Sequence, residues 1–174
     1  MRIVSRNMRD EDRDFVIGNW LSSYRRSPHA GLISMPTWRA VMGPELAGIL
    51  AREQVRTIVI DDVEESTRTV NLLGFVVWQL GHFEFDTERR AVWKDHPPLV
   101  YFAYVKHGHR GHGLLRVLLR AAGMSMASRF DYVCQTHAAI RLCEAGKLPN
   151  ARWRPLLGRY ANERNDHERE AEPE

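Results

Sequence analysis

One short unit constrains this chain more than any other: an apolar strand runs into a glycine-rich turn that opens directly onto a helix. Residues 99–106 read LVYFAYVK, 107–113 HGHRGHG and 114–129 LLRVLLRAAGMSMASR. The first segment has strand composition and the last is rich in the strong helix formers Leu, Ala and Arg. A helix that starts so abruptly leaves its first N–H groups without intrahelical partners, at the positive end of its dipole. Gly108, Gly111 and Gly113 let an anion approach that backbone closely, and Arg110 and neighbouring histidines add positive character. The unit reads as a seat for a diphosphate. Two nucleotide loops are excluded. GxxxxGK[ST] is absent, and the glycines run G-x-x-G-x-G rather than GxGxxG.

The rest of the chain places this unit. Residues 2–5 are expected as a first strand and residues 12–26 as an amphipathic helix, with Phe15, Val16, Trp20, Leu21 and Tyr24 at helical spacing. Ser34 caps a second helix with Pro36 in its first turn, and Gly43-Pro44 is expected to kink or divide it. Residues 55–61 and 70–80 follow as apolar strands around a DDVEESTR hairpin loop. After the central unit come a strand at 132–136, a helix at 138–145 closed by Gly146, and a last irregular strand at 153–160. The order β-α-α-β-β-β-α-β-α-β mixes hairpins with helical crossovers, so an α/β fold with a mixed sheet is expected.

VKHGHRGHGLLRVLL, residues 105–119, resembles the acetyl-CoA loop of the GNAT (GCN5-related N-acetyltransferase) superfamily, VxPxxRGxGxGxxLL. Val105 matches the strand residue, Arg110-Gly111-His112-Gly113 the loop, and Leu118-Leu119 the paired leucines. His107 stands where the family has proline, and Leu115 where it has a final Gly or Ala. Downstream, residues 135–146 are similar to the family's NxxAxxLYxxxGF, with Gln135 at the Asn, Ala138 at the Ala and Leu142 at the Tyr that often protonates the departing thiolate. The helix block NWLSSYRRS and the strand YFAYVK also resemble acetyltransferase-like proteins of bacteriophages and prophages.

The resemblance implies a GNAT-like mixed central sheet and an acyl-CoA-dependent N-acyltransferase, with acetyl-CoA as cofactor and direct transfer to an amine acceptor. Cofactor binding then falls to Tyr104, Val105, Arg110, Gly111, His112, Gly113, Leu114 and Leu115. The strand edge at Tyr104-Val105 would pair with the pantetheine arm. Tyr24, Arg25 and Arg26 close the first helix and would border the acceptor. Removing the amine proton and handling the thiolate need a base and an acid. Glu84, with His82, is the candidate base; Tyr104, His137 and Tyr160 are candidates for the acid. A nucleic-acid-modifying enzyme of the same fold, and a binding module without catalysis, are the alternatives.

Charge bears on these alternatives. Residues 162–174 hold six acidic and two basic residues, a net of −4, which leaves +7 on residues 1–161 out of the overall +3. A basic body attracts cofactor phosphates or nucleic acid alike. Residues 1–161 are expected to form one domain and 162–174 an acidic tail without fixed structure. No metal is expected: His107, His109 and His112 lack carboxylate or thiol partners. Cys134 and Cys143 fit neither a zinc pair nor a redox motif. The charged N-terminus lacks a secretory signal's apolar core, and no apolar run is long enough for a membrane span, so a cytoplasmic protein is expected. Its oligomeric state is left open.

Overall fold

The computed structural model describes residues 2–64, 69–81 and 97–154. Six strands form one sheet in the order β1-β2-β3-β4-β5-β6. They are β1 (Arg2–Asn7), β2 (Val55–Glu64), β3 (Thr69–Gln79), β4 (Leu99–Val105), β5 (Phe130–Tyr132) and β6 (Ala151–Trp153). The first four pair antiparallel. The β4–β5 and β5–β6 pairs are parallel, each bridged by a helix as a parallel crossover requires. The helices are α1 (Arg13–Ser23), α2 (Met35–Ala51), α3 (Leu114–Ala121) and α4 (His137–Glu144). This is the element order expected from the sequence.

The sheet has a core on each face. On one, Val16, Trp20 and Leu21 of α1 and Leu46 and Ile49 of α2 bury Val59, Phe75, Val77 and Tyr101, and Trp20 stacks on Phe102 at 5.4 Å between ring centroids. On the other, Leu114, Leu118 and Leu119 of α3 cover Ile58, Ile60, Leu73 and Val76, and Leu142 and Cys143 of α4 pack at the border.

Several boundaries differ from the sequence expectation, for identifiable reasons. The first helix is α-helical only over Arg13–Ser23, with a 3₁₀ turn at each end. Pro44 does not divide α2, which runs unbroken through it. Trp38 and Met42 before the proline and Leu46 and Ile49 after it pack into the same core, and that packing outweighs one lost hydrogen bond. Asp61 and Asp62 lie in β2 rather than in a loop. Asp61 is buried because Arg6 Nε donates to it at 2.6 Å, while Arg6 Nη1 reaches Asp12 at the same distance. The central helix ends at Ala121 rather than 129: Gly123 N–H donates to Arg120 and Met124 N–H to Leu119, which closes a Schellman cap. β5 begins earlier than expected and stops at Tyr132. The last strand is Ala151–Trp153, with Trp153 partly exposed, and residues 155–160 lie outside the described ones. So do the hairpin turn at 65–68 and the acidic tail.

Candidate functional site

The glycine-rich turn is held by its own backbone. Lys106 N–H donates to Leu73 in β3, and a 3₁₀ turn at His107–His109 follows. Arg110 Nε folds back onto the Val105 carbonyl at 3.0 Å. Gly111 (φ 86°) and Gly113 (φ 78°) sit in the left-handed region, where a side chain is disfavoured. Their conformations turn the chain into α3 without any side-chain cap. The N–H groups of residues 111–115 have no acceptor among the described residues. A run of unpaired N–H groups at a helix N-terminus is an anion seat. Leu115, one of the two departures from the family loop, packs its side chain on the α3-side core, so it leaves the backbone seat intact.

Beside this turn the sheet comes apart. β5 pairs with β4 only at Leu99↔Asp131 and Val100↔Tyr132, with a last bond from Val133 N–H to the Val100 carbonyl. β4 bulges at the same level: Val77 faces Phe102 while Trp78 faces Val100, which leaves Tyr101 as the extra residue. Tyr101 and Phe102 consequently enter the same core, as a bulge permits. The Tyr101 hydroxyl donates to Gln79 Oε1 at 2.7 Å and accepts from Arg52 Nη1, and burial raises its pKa. Beyond the bulge, residues 103–105 have no strand on their β5 side among the described residues.

A cavity of about 1090 Å³ opens along this split. Its walls come from both sheet faces: residues 100–105 of β4, the glycine-rich turn and α3 start, the stretch from Tyr132 to Ala139, and Ser22, Ser23, Arg25 and Arg26 from the end of α1. The lining carries Arg25, Arg26, Arg110, Arg116, Arg141 and Lys147, and no Asp or Glu among the described residues.

The expected site residues distribute unevenly around this cavity. Val105, Arg110, Gly111, Gly113, Leu114 and Leu115 line it; His112 is exposed on the same turn. Tyr104 also lines it, but not as the pairing edge. Lys106 N–H binds β3, so strand alternation turns the Tyr104 main chain to β3 as well and presents Ala103 and Val105 to the split. That corrects the expected edge by one residue. Gly74 lies so close to the Tyr104 carbonyl that a Cβ there would collide with it. The Tyr104 ring leans on Phe15 and Phe75. His137 opens α4 at the cavity wall, and Arg25 lies at the other side. Tyr24 does not line the cavity. Its ring is buried against Trp38 (4.4 Å) and its hydroxyl accepts from Ile33 N–H, so it serves the core instead of an acceptor. Glu84, His82 and Tyr160 lie outside the described residues.

Arg26, expected beside the acceptor with Arg25, lines the cavity too, whereas sequence reasoning missed Ser22, Tyr132 and Cys134, all on the cavity wall. Burial pushes the Cys134 thiol up to about 11, so it stays protonated and is no thiolate nucleophile. Burial, helped by Cys143 at 3.7 Å, pushes the Tyr132 hydroxyl up to about 12. Groups of three or more metal-ligating side chains are absent among the described residues, and no helix there is long and apolar enough to cross a membrane.

No protein-family model matches the chain, and no curated protein matches it in sequence. Solved structures do. A Pyrococcus furiosus protein assigned as an acetyl transferase superposes with a TM-score of 0.55 at 17% identity, over 83% of this chain and 91% of its own. A GCN5-related N-acetyltransferase from Ralstonia eutropha JMP134 gives 0.50 at 15% identity, over 99% of this chain and 94% of its own. The split between β4 and β5, the turn feeding α3 and these superpositions agree: the chain has the GNAT fold.

Proposed function

We propose that this protein is an acyl-CoA-dependent N-acyltransferase, using acetyl-CoA and transferring its acyl group directly to an amine. One observation carries the reading: a single cavity runs from an anion seat on the α3 side of the sheet to the end of α1, past a strand edge that is unpaired among the described residues. The parts fit the group. The N–H groups of residues 111–115, with Arg110, would hold the diphosphate. Ala103 and Val105 would pair with the pantetheine amides, as a strand edge does. Arg116, Arg141 and Lys147 add charge on the α3 and α4 side. Acetyl-CoA supplies the acyl group as a thioester.

Transfer forms a C–N bond as the C–S bond breaks; the nitrogen must shed a proton and the sulfur must gain one. His137, exposed at the start of α4, is assigned the amine proton. Tyr104 is assigned the thiolate: it is one of the residues lining the cavity, and its hydroxyl has no partner among the described residues. The protonated Cys134 supports direct transfer over an acyl-enzyme. Titration with acetyl-CoA in a calorimeter tests the reading. Binding below high micromolar concentration is expected, and no heat there overturns the cofactor assignment.

A further inference from the structure

The wall of the cavity nearest α1 has a chemistry of its own. Ser22, Arg25 and Arg26 recur at three- and four-residue spacing along α1 and its final 3₁₀ turn, and so share one side. All three are exposed and line the cavity, and none has a hydrogen-bond or ion-pair partner among the described residues. The neighbouring polar groups are already engaged. Asn19 donates to the Phe15 carbonyl at 2.7 Å and Ser23 to the Trp20 carbonyl at 2.6 Å. The buried acids are taken elsewhere: Asp12 and Asp61 hold Arg6, and Asp131 holds Arg152. Arg25 and Arg26 stand on the α1 side of the sheet, apart from the cations beside α3 that suit the cofactor.

Resting on the acyltransferase reading, we propose that the acceptor is an amine that also carries a carboxylate or phosphate, held by Arg25, Arg26 and Ser22. Guanidinium forks suit both anions. With the α3-side cations matched to the cofactor, Arg25 and Arg26 beside an acceptor wall with no described carboxylate disfavour polyamines and polycationic sugars, because the walls focus the field. The same field favours the neutral form of the acceptor amine, the form that attacks a thioester.

The test compares matched acceptors at fixed acetyl-CoA, reading both thiol release and calorimetric binding to the CoA complex. The pairs are alanyl-alanine against its C-terminal amide, and phosphoethanolamine against ethanolamine, with spermidine and a short DNA duplex alongside. The anionic member of at least one pair should have kcat/KM about tenfold higher, and which pair responds separates carboxylate from phosphate. Arg25→Ala with Arg26→Ala should remove that preference through KM, leaving kcat within about threefold. The double lysine variant should keep part of it, and the Kd for acetyl-CoA should not change in either. Equal use of both members of each pair, preference for spermidine or the duplex, or silence with every amine while acetyl-CoA binds overturns the acceptor proposal. Failure to bind acetyl-CoA overturns the acyltransferase reading instead.

Discussion

Placing a valine at Gly113 tests whether the backbone of the turn holds the cofactor. Gly113 has φ 78° and ψ 6° and is the N-cap of α3. A Cβ there would meet no heavy atom within 4 Å, so the branch point of the new side chain meets open space. What remains is the conformational cost of an L-residue in the left-handed region, about 1–2 kcal/mol with a β-branched side chain at the upper end. A chain of this size should stay folded and lose about 2–8 °C in Tm. A valine that relaxes toward negative φ rotates the adjoining N–H groups off the anion seat. Each charge-assisted bond contributes about 1.5–3 kcal/mol, so loss of one weakens acetyl-CoA binding about 10- to 100-fold. Gly123 supplies the control. It has φ 75°, equally open space, and the opposite end of the same helix. Thermal melts of Gly113→Val and Gly123→Val should therefore fall alike, while calorimetry finds weakened binding in the first alone. Equal affinities in the two variants, whether both intact or both reduced, would refute the assignment of the seat to residues 111–115.

Two further outcomes test the frame around the site. Arg6→Met leaves Asp12 and Asp61, 2% and 4% exposed, without their shared cation; denaturant titration should show a loss of about 3–5 kcal/mol, and an unchanged midpoint would remove the network from the account of stability. The hydrogen bond from Arg6 holds the Asp12 carboxyl below its ordinary value despite burial. Its contribution is therefore present above the unfolded-chain carboxylate pKa of about 3.9 and lost as pH falls through the lower folded value. Asp12→Asn should flatten the acid limb of Tm against pH. Cys134→Ala should keep kcat within about twofold, and iodoacetamide at neutral pH should leave Cys134 unmodified, because a thiol held near 11 has almost no thiolate to react; inactivation by the substitution would argue for an acyl-enzyme.

Local chemistry explains which parts of the fold were legible. The 99–120 unit was readable because each step is dictated within a few residues: apolar run, glycines, helix formers. The Ser34 cap and Pro36 were readable for the same reason, and Ser34 does accept from Thr37 N–H. The length of β5 was not readable, since it depends on where β4 stops pairing. That point is set by the Tyr101 bulge, whose hydrogen bonds run to Gln79 and Arg52, distant in sequence. Tyr24 illustrates the converse error. At the end of an amphipathic helix beside two arginines it has the look of a recognition residue, and only the packing of Trp38 and the Ile33 N–H turns it inward.

Two of the departures from the family pattern, Leu115 and Leu142, separate binding from chemistry in physical terms. A seat made of N–H groups is indifferent to the side chain at 115 as long as that side chain has somewhere else to go, and the α3-side core receives Leu115. A proton donor is a side chain, so Leu142 cannot be compensated in the same way. On the proposed reading a hydroxyl would come from another wall of the cavity. Tyr132 is engaged near Cys143 and held at about 12, which makes it a poor proton source for a thiolate. Tyr104 is on β4, one residue from both Ala103 and Val105, whose main chains face the split. On the proposed reading, a pantetheine arm paired along that edge would run next to Tyr104, and the cofactor-aligning strand and the proposed proton donor would be the same element.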